Sequence, residues 1–189
     1  MTRSMRIAVL ALCALLLVAA PAAAKPKKAL KLSHGATHLT LDKGALDALT
    51  SLGIAAAPLA PATADGADLA FPITTGRVQK KTLAGKIRHT GGLSLTRGAT
   101  RVELRNFVID TKKAVLTARA GNARLAILDL DLSKVKVTKK GKRLKLSGVS
   151  ATLSKGAADA LNGAFTTDAF KPGLLIGTAV VRTRATPRR

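Results

Sequence analysis

Short segments in which hydrophobic and polar residues alternate follow one another along most of the chain, and this pattern is typical of β-strands. In residues 134–137 and 143–146, every second residue is Val or Leu and the others are Lys or Arg. The Lys-Lys-Gly-Lys sequence between these segments predicts a hairpin loop over residues 139–142, with Gly141 at a positive φ. Further strands are predicted at 69–78, 83–89, 93–96, 114–120, 124–132 and 175–182.

The alternation slips by one residue at two places along these strands. One slip lies at Gly148 and the other lies around Asn106. An extra residue in one strand, a β-bulge, is the simplest account of each slip. Pro58, Pro61 and Gly66 predict instead that residues 55–68 form a loop.

A ten-residue stretch occurs twice, with eight identical positions. Residues 40–49 (TLDKGALDAL) return as residues 152–161 (TLSKGAADAL). Each copy predicts the end of a strand followed by a short helix, near 43–52 and 155–163, with Asp42 and Ser154 as N-caps. Two such helices are expected to act as pseudo-symmetric lids on a sheet structure.

These patterns predict a mainly β protein: a single β-sandwich-like antiparallel domain with two short helices. The predicted organisation is a signal peptide at residues 1–24, a basic N-terminal tail at 25–36, the domain at 37–184 and a basic C-terminal tail at 185–189.

The first 24 residues have the three parts of an export signal. Arg3 and Arg6 precede an apolar run over residues 7–20, and three alanines, at 22–24, form a small-residue cleavage site. The only cysteine, Cys13, lies within this run. We therefore expect a secreted or cell-envelope-associated protein without disulfides.

The mature chain is strongly basic and poor in aromatic residues. Removing Arg3 and Arg6 with the leader leaves 30 basic and 10 acidic residues, a formal charge of +20. Such a charge attracts anionic partners. The alternative interpretation is that it only keeps the protein surface soluble. The chain has four Phe and no Trp or Tyr, which disfavours the stacking platforms that single-stranded nucleic acids use. No nucleophile or phosphate-binding motif is present, so we expect no enzyme, no catalytic residue and no metal site.

The densest cluster of charge lies on the predicted hairpin. We call it the basic hairpin, and its cations are Lys134, Lys136, Lys139, Lys140, Lys142, Arg143 and Lys145. Alternation places Lys134, Lys136, Arg143 and Lys145 on one face, which predicts a patch for an anionic ligand. The alternative is a solvated face whose lysines protect an edge strand from aggregation.

His89 is the histidine with the most informative position. It shares the phase of Leu83 and Ile87, which predicts that its imidazole points inward at the end of a strand. Such a histidine contacts a ligand, or forms hydrogen bonds that hold the adjacent turn. Both interpretations remain open at this point.

Four segments together resemble the HtaA-domain family of secreted bacterial proteins. They are residues 85–95, 102–106, 115–118 and 149–153, within a resemblance that extends over residues 37–182. The resemblance implies a two-sheet β-fold, a surface or secreted location and haem capture. Haem-binding members use a tyrosine as axial ligand, and this chain has no Tyr. His89 is therefore the residue carried over as a ligand contact, and we expect no resident cofactor, with haem as an alternative ligand.

The sequence thus predicts a non-enzymatic, envelope-associated binding module for an anionic ligand or polymer. An HtaA-like carrier of haem or another hydrophobic anion is the alternative, and a structural envelope protein is the second alternative. The expected partners are an anionic envelope polymer or lipid headgroups, with peripheral membrane contact and no specific nucleic acid.

Export should remove the leader at the alanine site. We expect the mature chain to begin at Lys25, because the apolar run ends before residues 22–24. The intact mass of the exported protein, or its N-terminal sequence, measures this. A retained leader carrying a lipid on Cys13 would contradict the expectation.

Overall fold

The computed structural model describes residues 28–187, which form twelve strands and two helices. In chain order these are β1 (Ala29–Leu41), α1 (Lys43–Ser51), β2 (Ala55–Leu59), β3 (Thr63–Asp65), β4 (Asp68–Gln79), β5 (Gly85–His89), β6 (Gly92–Arg97), β7 (Thr100–Asp110), β8 (Val115–Ala120), β9 (Ala123–Asp131), β10 (Lys136–Lys140), β11 (Arg143–Leu153), α2 (Lys155–Phe165) and β12 (Leu175–Pro187).

Eight of the strands close into an antiparallel barrel. The ring runs β7-β5-β4-β1-β12-β11-β9-β8, and pairing between β7 and β8 closes it. The remaining strands extend its wall: β6 and β2 continue from β7, β3 pairs with β4, and β10 pairs with β11. The apolar residues of the strands form a core inside the barrel, because alternate side chains of each strand point inward.

Bulges reset the inward phase of several ring strands. The predicted slips are confirmed: the β11 register shifts between Leu146 and Val149, and the β7 register shifts around Asn106, which has φ 54°. A third bulge lies in β1, where His34 and Gly35 have φ of 57° and 105°. After it, the buried positions of β1 change from Leu30 and Leu32 to Thr37.

The two repeated segments form α1 and α2, and their predicted caps are confirmed. The Asp42 side chain accepts a hydrogen bond from the backbone N–H of Gly44, and Ser154 accepts one from Ala157. The backbone of both repeats also bonds to the chain where β12 begins: Asp42 N donates to Ile176 O in β12, and Leu153 N donates to the O of Leu174, the residue before β12. The helices therefore lie at the same end of the barrel.

The structure corrects several predictions. The sheet closes into a barrel rather than forming a sandwich, since β7 pairs with β8. Residues 29–36 and 185–187 belong to β1 and β12 instead of tails, and Leu32 and Ala185 are buried. The predicted loop at 55–68 contains β2 and β3. The predicted signal peptide lies outside the described residues.

The bulge in β1 should depend on Gly35. A Cβ atom there would lie 2.0 Å from the carbonyl oxygen of Arg182 on β12, and φ is +105°. We expect Gly35→Ala to lower the free energy of unfolding by more than about 2 kcal/mol. Urea unfolding monitored by circular dichroism measures this loss of stability.

Gly163 provides the matched control, because it lies in α2 and a Cβ there meets nothing within 4 Å. Gly163→Ala should raise the free energy of unfolding by about 0.5–1 kcal/mol, since Ala loses less backbone entropy in a helix. Equal unfolding midpoints for the two variants would show that the β1 bulge tolerates a side chain.

Candidate functional site

The barrel encloses an apolar cavity of about 260 Å³. Its wall consists of Leu, Ile, Val, Ala and Phe side chains, most of which belong to ring strands. The polar lining residues are three threonines, Thr37, Thr82 and Thr111, and within residues 28–187 no charged side chain lines the cavity. Such a cavity favours the apolar part of a ligand.

The cavity reaches solvent at the end of the barrel opposite the helices. Lining residues there come from the β4–β5 turn, the β7–β8 turn and the segment that connects β9 to β10. The β7–β8 hairpin turns at this end of the barrel, whereas β10 pairs with β11 beyond that turn and makes the wall taller on its side. Val137 of β10 lines the cavity and is 52% exposed, so it marks the mouth.

Lysines occupy all three segments around this mouth. The five side chains, here called the rim lysines, are exposed: Lys80, Lys81, Lys112, Lys113 and Lys134. Each lies within two residues of a side chain that lines the cavity. The mouth therefore combines an apolar interior with a positively charged edge.

Inside the barrel, His89 and Thr37 form a buried pair. Their exposures are 5% and 4%, and the distance from Thr37 Oγ1 to His89 Nε2 is 2.7 Å. His89 Nδ1 lies 3.2 Å from the carbonyl oxygen of Phe107. A carbonyl oxygen only accepts, so Nδ1 carries the proton and Nε2 accepts from the Thr37 hydroxyl. Burial lowers the pKa of His89 from 6.5 to about 4, which keeps the ring neutral.

The β1 bulge brings this pair together. Without the extra residue at 34–35, the alternation from Leu30 and Leu32 would turn Thr37 outward. With it, Thr37 points inward and lines the cavity. His89 also points inward and is buried, but it is not among the residues that line the cavity. Thr37 thus stands between the imidazole and the cavity.

The end of the barrel beneath the helices contains a second, smaller apolar cavity of about 110 Å³. Side chains from α1 and α2, among them Ala45, Leu49 and Leu161, close it. Leu39, Phe71, Leu116 and Leu128 line both cavities. These four residues therefore form the layer between the open end and the capped end.

The predicted site residues occupy two separate places. His89 points inward as predicted, but its role as a ligand contact stays a prediction. All seven cations of the basic hairpin are exposed. Of the four cations predicted to share one face, Lys136, Arg143 and Lys145 do point outward together. The fourth, Lys134, lies in the turn before β10, and Lys140 shares the outward face instead. Lys139 pairs with buried Leu144 and shares the inner phase.

Sequence reasoning missed Thr37 and four of the rim lysines. A threonine in a strand carries no signal of its own, and only the His34-Gly35 dipeptide hints at the bulge that turns it inward. Lys80, Lys81, Lys112 and Lys113 occur as pairs in turns, where charged residues are ordinary. Their relevance comes from their position at the mouth.

Other chemistry is sparse in the described part of the chain. Residues 28–187 contain no group of three or more His, Cys, Asp or Glu arranged to hold a metal ion. No helix within these residues is long and apolar enough to cross a membrane. Asp131 at the end of β9 accepts a hydrogen bond from the backbone N–H of Ser133.

Comparison with known proteins gives matches to solved structures. No family model and no curated protein matches the chain. The C-terminal domain of HtaA from Corynebacterium glutamicum is similar, with a TM-score of 0.63 and 16% sequence identity over 83% of this chain and 99% of that domain. A domain-swapped dimer of a histidine-to-alanine variant of the same domain has a TM-score of 0.52 and 16% identity, over 77% and 90% of the two chains.

The haem-binding protein HtaB from Corynebacterium glutamicum also matches, at a TM-score of 0.49 and 8% identity over 85% of this chain and 97% of that chain. At that score the likeness adds nothing to the assignment of the fold. The two matches to the HtaA domain agree with the resemblance found in the sequence. We conclude that residues 28–187 have an HtaA-domain-like fold.

Proposed function

We propose that this protein is a non-enzymatic binding module that carries a hydrophobic anion in the open end of its barrel. The observation that carries the proposal is the apolar cavity whose mouth lies among the rim lysines. The HtaA-domain-like fold supports it, because the resemblance to that family implies haem capture, and haem is a hydrophobic anion.

The contrast between an apolar cavity and a lysine-rich rim indicates the chemistry of the ligand: an apolar body with an acidic group at one end. Each buried CH₂ group contributes about 0.8 kcal/mol, so the apolar body belongs in the cavity. An acidic group left inside would have no cation to pair with among the lining residues, and an unpaired buried charge is costly. Lysine side chains at the mouth are long enough to reach such a group at the surface.

Haem fits this arrangement in part. Its apolar ring and its carboxylates match the cavity wall and the rim lysines. However, the cavity of about 260 Å³ lies below the roughly 300–1,000 Å³ of common ligand sites. His89 has the tautomer of a metal-ligating histidine, with Nδ1–H on a backbone carbonyl, but Thr37 occupies Nε2. Within residues 28–187, the cavity lining thus presents no free axial ligand, and we assign no iron coordination.

The Thr37–His89 pair supports binding rather than catalysis. In hydrolases, a hydroxyl nucleophile bonds to a histidine that a carboxylate orients. Here the backbone carbonyl of Phe107 takes the place of the carboxylate. With a pKa of about 4, His89 is a weak base. We propose that the pair keeps the barrel interior uncharged while satisfying two buried polar groups.

The proposed location is outside the cytoplasmic membrane, at or near the envelope. The export signal predicted at residues 1–24 supports it, as does the resemblance to a family of secreted proteins. The basic character of the mature chain favours retention near anionic envelope components.

Filling the cavity should abolish binding of a hydrophobic anion. Ala179 lines the cavity, and Ala179→Leu adds apolar volume where the ligand body would lie. We expect the affinity for haem, and for a fluorescent long-chain fatty acid used as a second probe, to fall at least about tenfold, the factor that corresponds to 1.4 kcal/mol. Absorbance and fluorescence titrations measure this.

Matched variants separate the cavity from the rim. Ala126→Leu makes the same change at an exposed position on β9 and should leave both affinities unchanged. Lys81→Gln with Lys112→Gln should weaken binding, whereas Lys43→Gln with Lys155→Gln removes the same charge near the helices and should not. If Ala179→Leu binds both probes like the wild type, the cavity is not the ligand site.

Acid should destabilise the protein through His89. Its pKa is about 4 when folded and 6.5 when unfolded, so the unfolded state binds more protons between these values. The free energy of unfolding should therefore fall as the pH drops from about 6.5 to 4, by roughly 3 kcal/mol from this group. Urea unfolding of the wild type and His89→Gln across this range isolates the contribution. Parallel curves for the two proteins would contradict a buried neutral histidine.

A further inference from the structure

The outer surface of the barrel has a strongly uneven distribution of acidic residues. β10, β11, β12, β1 and β5 contain no Asp or Glu, and β4 contains one, Asp68, near the helix-capped end. By contrast, β7 and β9 together contain Glu103, Asp110, Asp129 and Asp131. Six neighbouring strands thus carry a single acidic residue of their own, Asp68. At the boundary with β7, Lys86 Nζ lies 3.9 Å from Asp110 Oδ2, so the charge of Lys86 is partly compensated.

On β10, β11 and β12, these cations lie directly opposite one another. Arg143 pairs in register with Lys140 on one side and Arg184 on the other, and Lys145 pairs with Arg182. All five side chains are exposed and point outward, because the residues between them, such as Leu144 and Thr183, are buried.

A second group continues the charge around the barrel. Lys31 on β1 lies opposite Arg77 on β4, and Arg77 lies opposite Lys86 on β5. Arg88 is also exposed on β5. We call the two groups together the cationic band. It extends from β10 to β5, over five of the eight ring strands.

This arrangement is unfavourable for the folded protein by itself. Paired strands lie about 4.8 Å apart, which is less than the distance of about 8 Å over which physiological salt screens charge. Like charges directly opposite on one face therefore lower stability. A bound anion removes this repulsion, and two shallow grooves lie on the band, one lined by Lys140, Arg182 and Arg184 and the other by Lys31, Arg77 and Lys86.

We infer that the cationic band binds a flexible linear polyanion that follows the curve of the barrel. A planar lipid bilayer touches a convex wall along only a few strands, so it does not match a band that covers more than half of the ring. A DNA duplex, with a persistence length of about 50 nm, does not bend around it. Single-stranded nucleic acid needs exposed rings, whereas all four Phe of the chain are buried.

The partner is thus a polymer that carries an acidic group on each repeat and needs no stacking. Arginine side chains on neighbouring strands suit such groups, since guanidinium binds phosphate and carboxylate oxygens through paired hydrogen bonds. This surface lies outside the barrel, so the inference is independent of a ligand in the cavity.

The experiment is a salt titration of binding to long-chain inorganic polyphosphate. The band variant combines Arg143→Gln, Arg182→Gln and Arg184→Gln. The control variant combines Lys43→Gln, Lys155→Gln and Lys171→Gln, which removes three exposed cations at the helix end. For a flexible single strand, the slope of log affinity against log salt is about −0.7 per contact. The band variant should therefore have a slope shallower by about two, and the control should match the wild type.

Two further measurements complete the test. The band variant should unfold at a higher temperature than the wild type, because opposed like charges are removed, and this also excludes misfolding as the cause of weaker binding. Vesicles of equal parts phosphatidylglycerol and phosphatidylcholine should bind the wild type more weakly than polyphosphate does. Equal salt slopes for the band and control variants, or tighter binding to the vesicles, would overturn the inference.

Discussion

A closed barrel must keep apolar side chains inward along strands of up to 13 residues while the wall bends, and this constraint governs the rest of the structure. Regular alternation alone does not meet it, because a strongly bent strand changes the face that points inside. Bulges at Gly35, Asn106 and Gly148 insert one residue where the phase must change. Each bulge therefore decides which side chains enter the core downstream of it.

The bulge in β1 shows what that constraint means for the interior of the barrel. It turns Thr37 inward, and the Thr37 hydroxyl then occupies the acceptor nitrogen of His89. The His89 ring is therefore neutral at neutral pH, because burial lowers its pKa to about 4, and within residues 28–187 no charged side chain lines the cavity. An interior of this kind is consistent with the proposed ligand, whose apolar part would lie in the cavity and whose acidic group would lie near the lysines at the mouth.

The two ends and the two faces of the barrel differ in chemistry for a common reason. The repeated segments place α1 and α2 over one end, where Leu161 closes the smaller cavity. At the other end, none of the helices formed by residues 28–187 is present, and the turns there carry exposed lysines. On the outer wall, the pairing of β11 with β12 and of β1 with β4 collects cations that are distant in sequence. The interior, the rim and the outer band are thus three separate consequences of one topology.

The sequence by itself determined the local features: most strands, the bulges at Asn106 and Gly148, both helices with their Asp42 and Ser154 caps, and the inward phase of His89. These depend on residues close together in the chain. Only the tertiary structure decided that the sheet closes, since sandwiches and barrels bury one face of each strand with the same alternation. It also decided that Thr37 meets His89 across 52 positions, and that Arg143 faces Arg184. Alternation fixes the face on which a side chain lies but not which strand becomes its neighbour, so contacts between strands appear only once the barrel has formed.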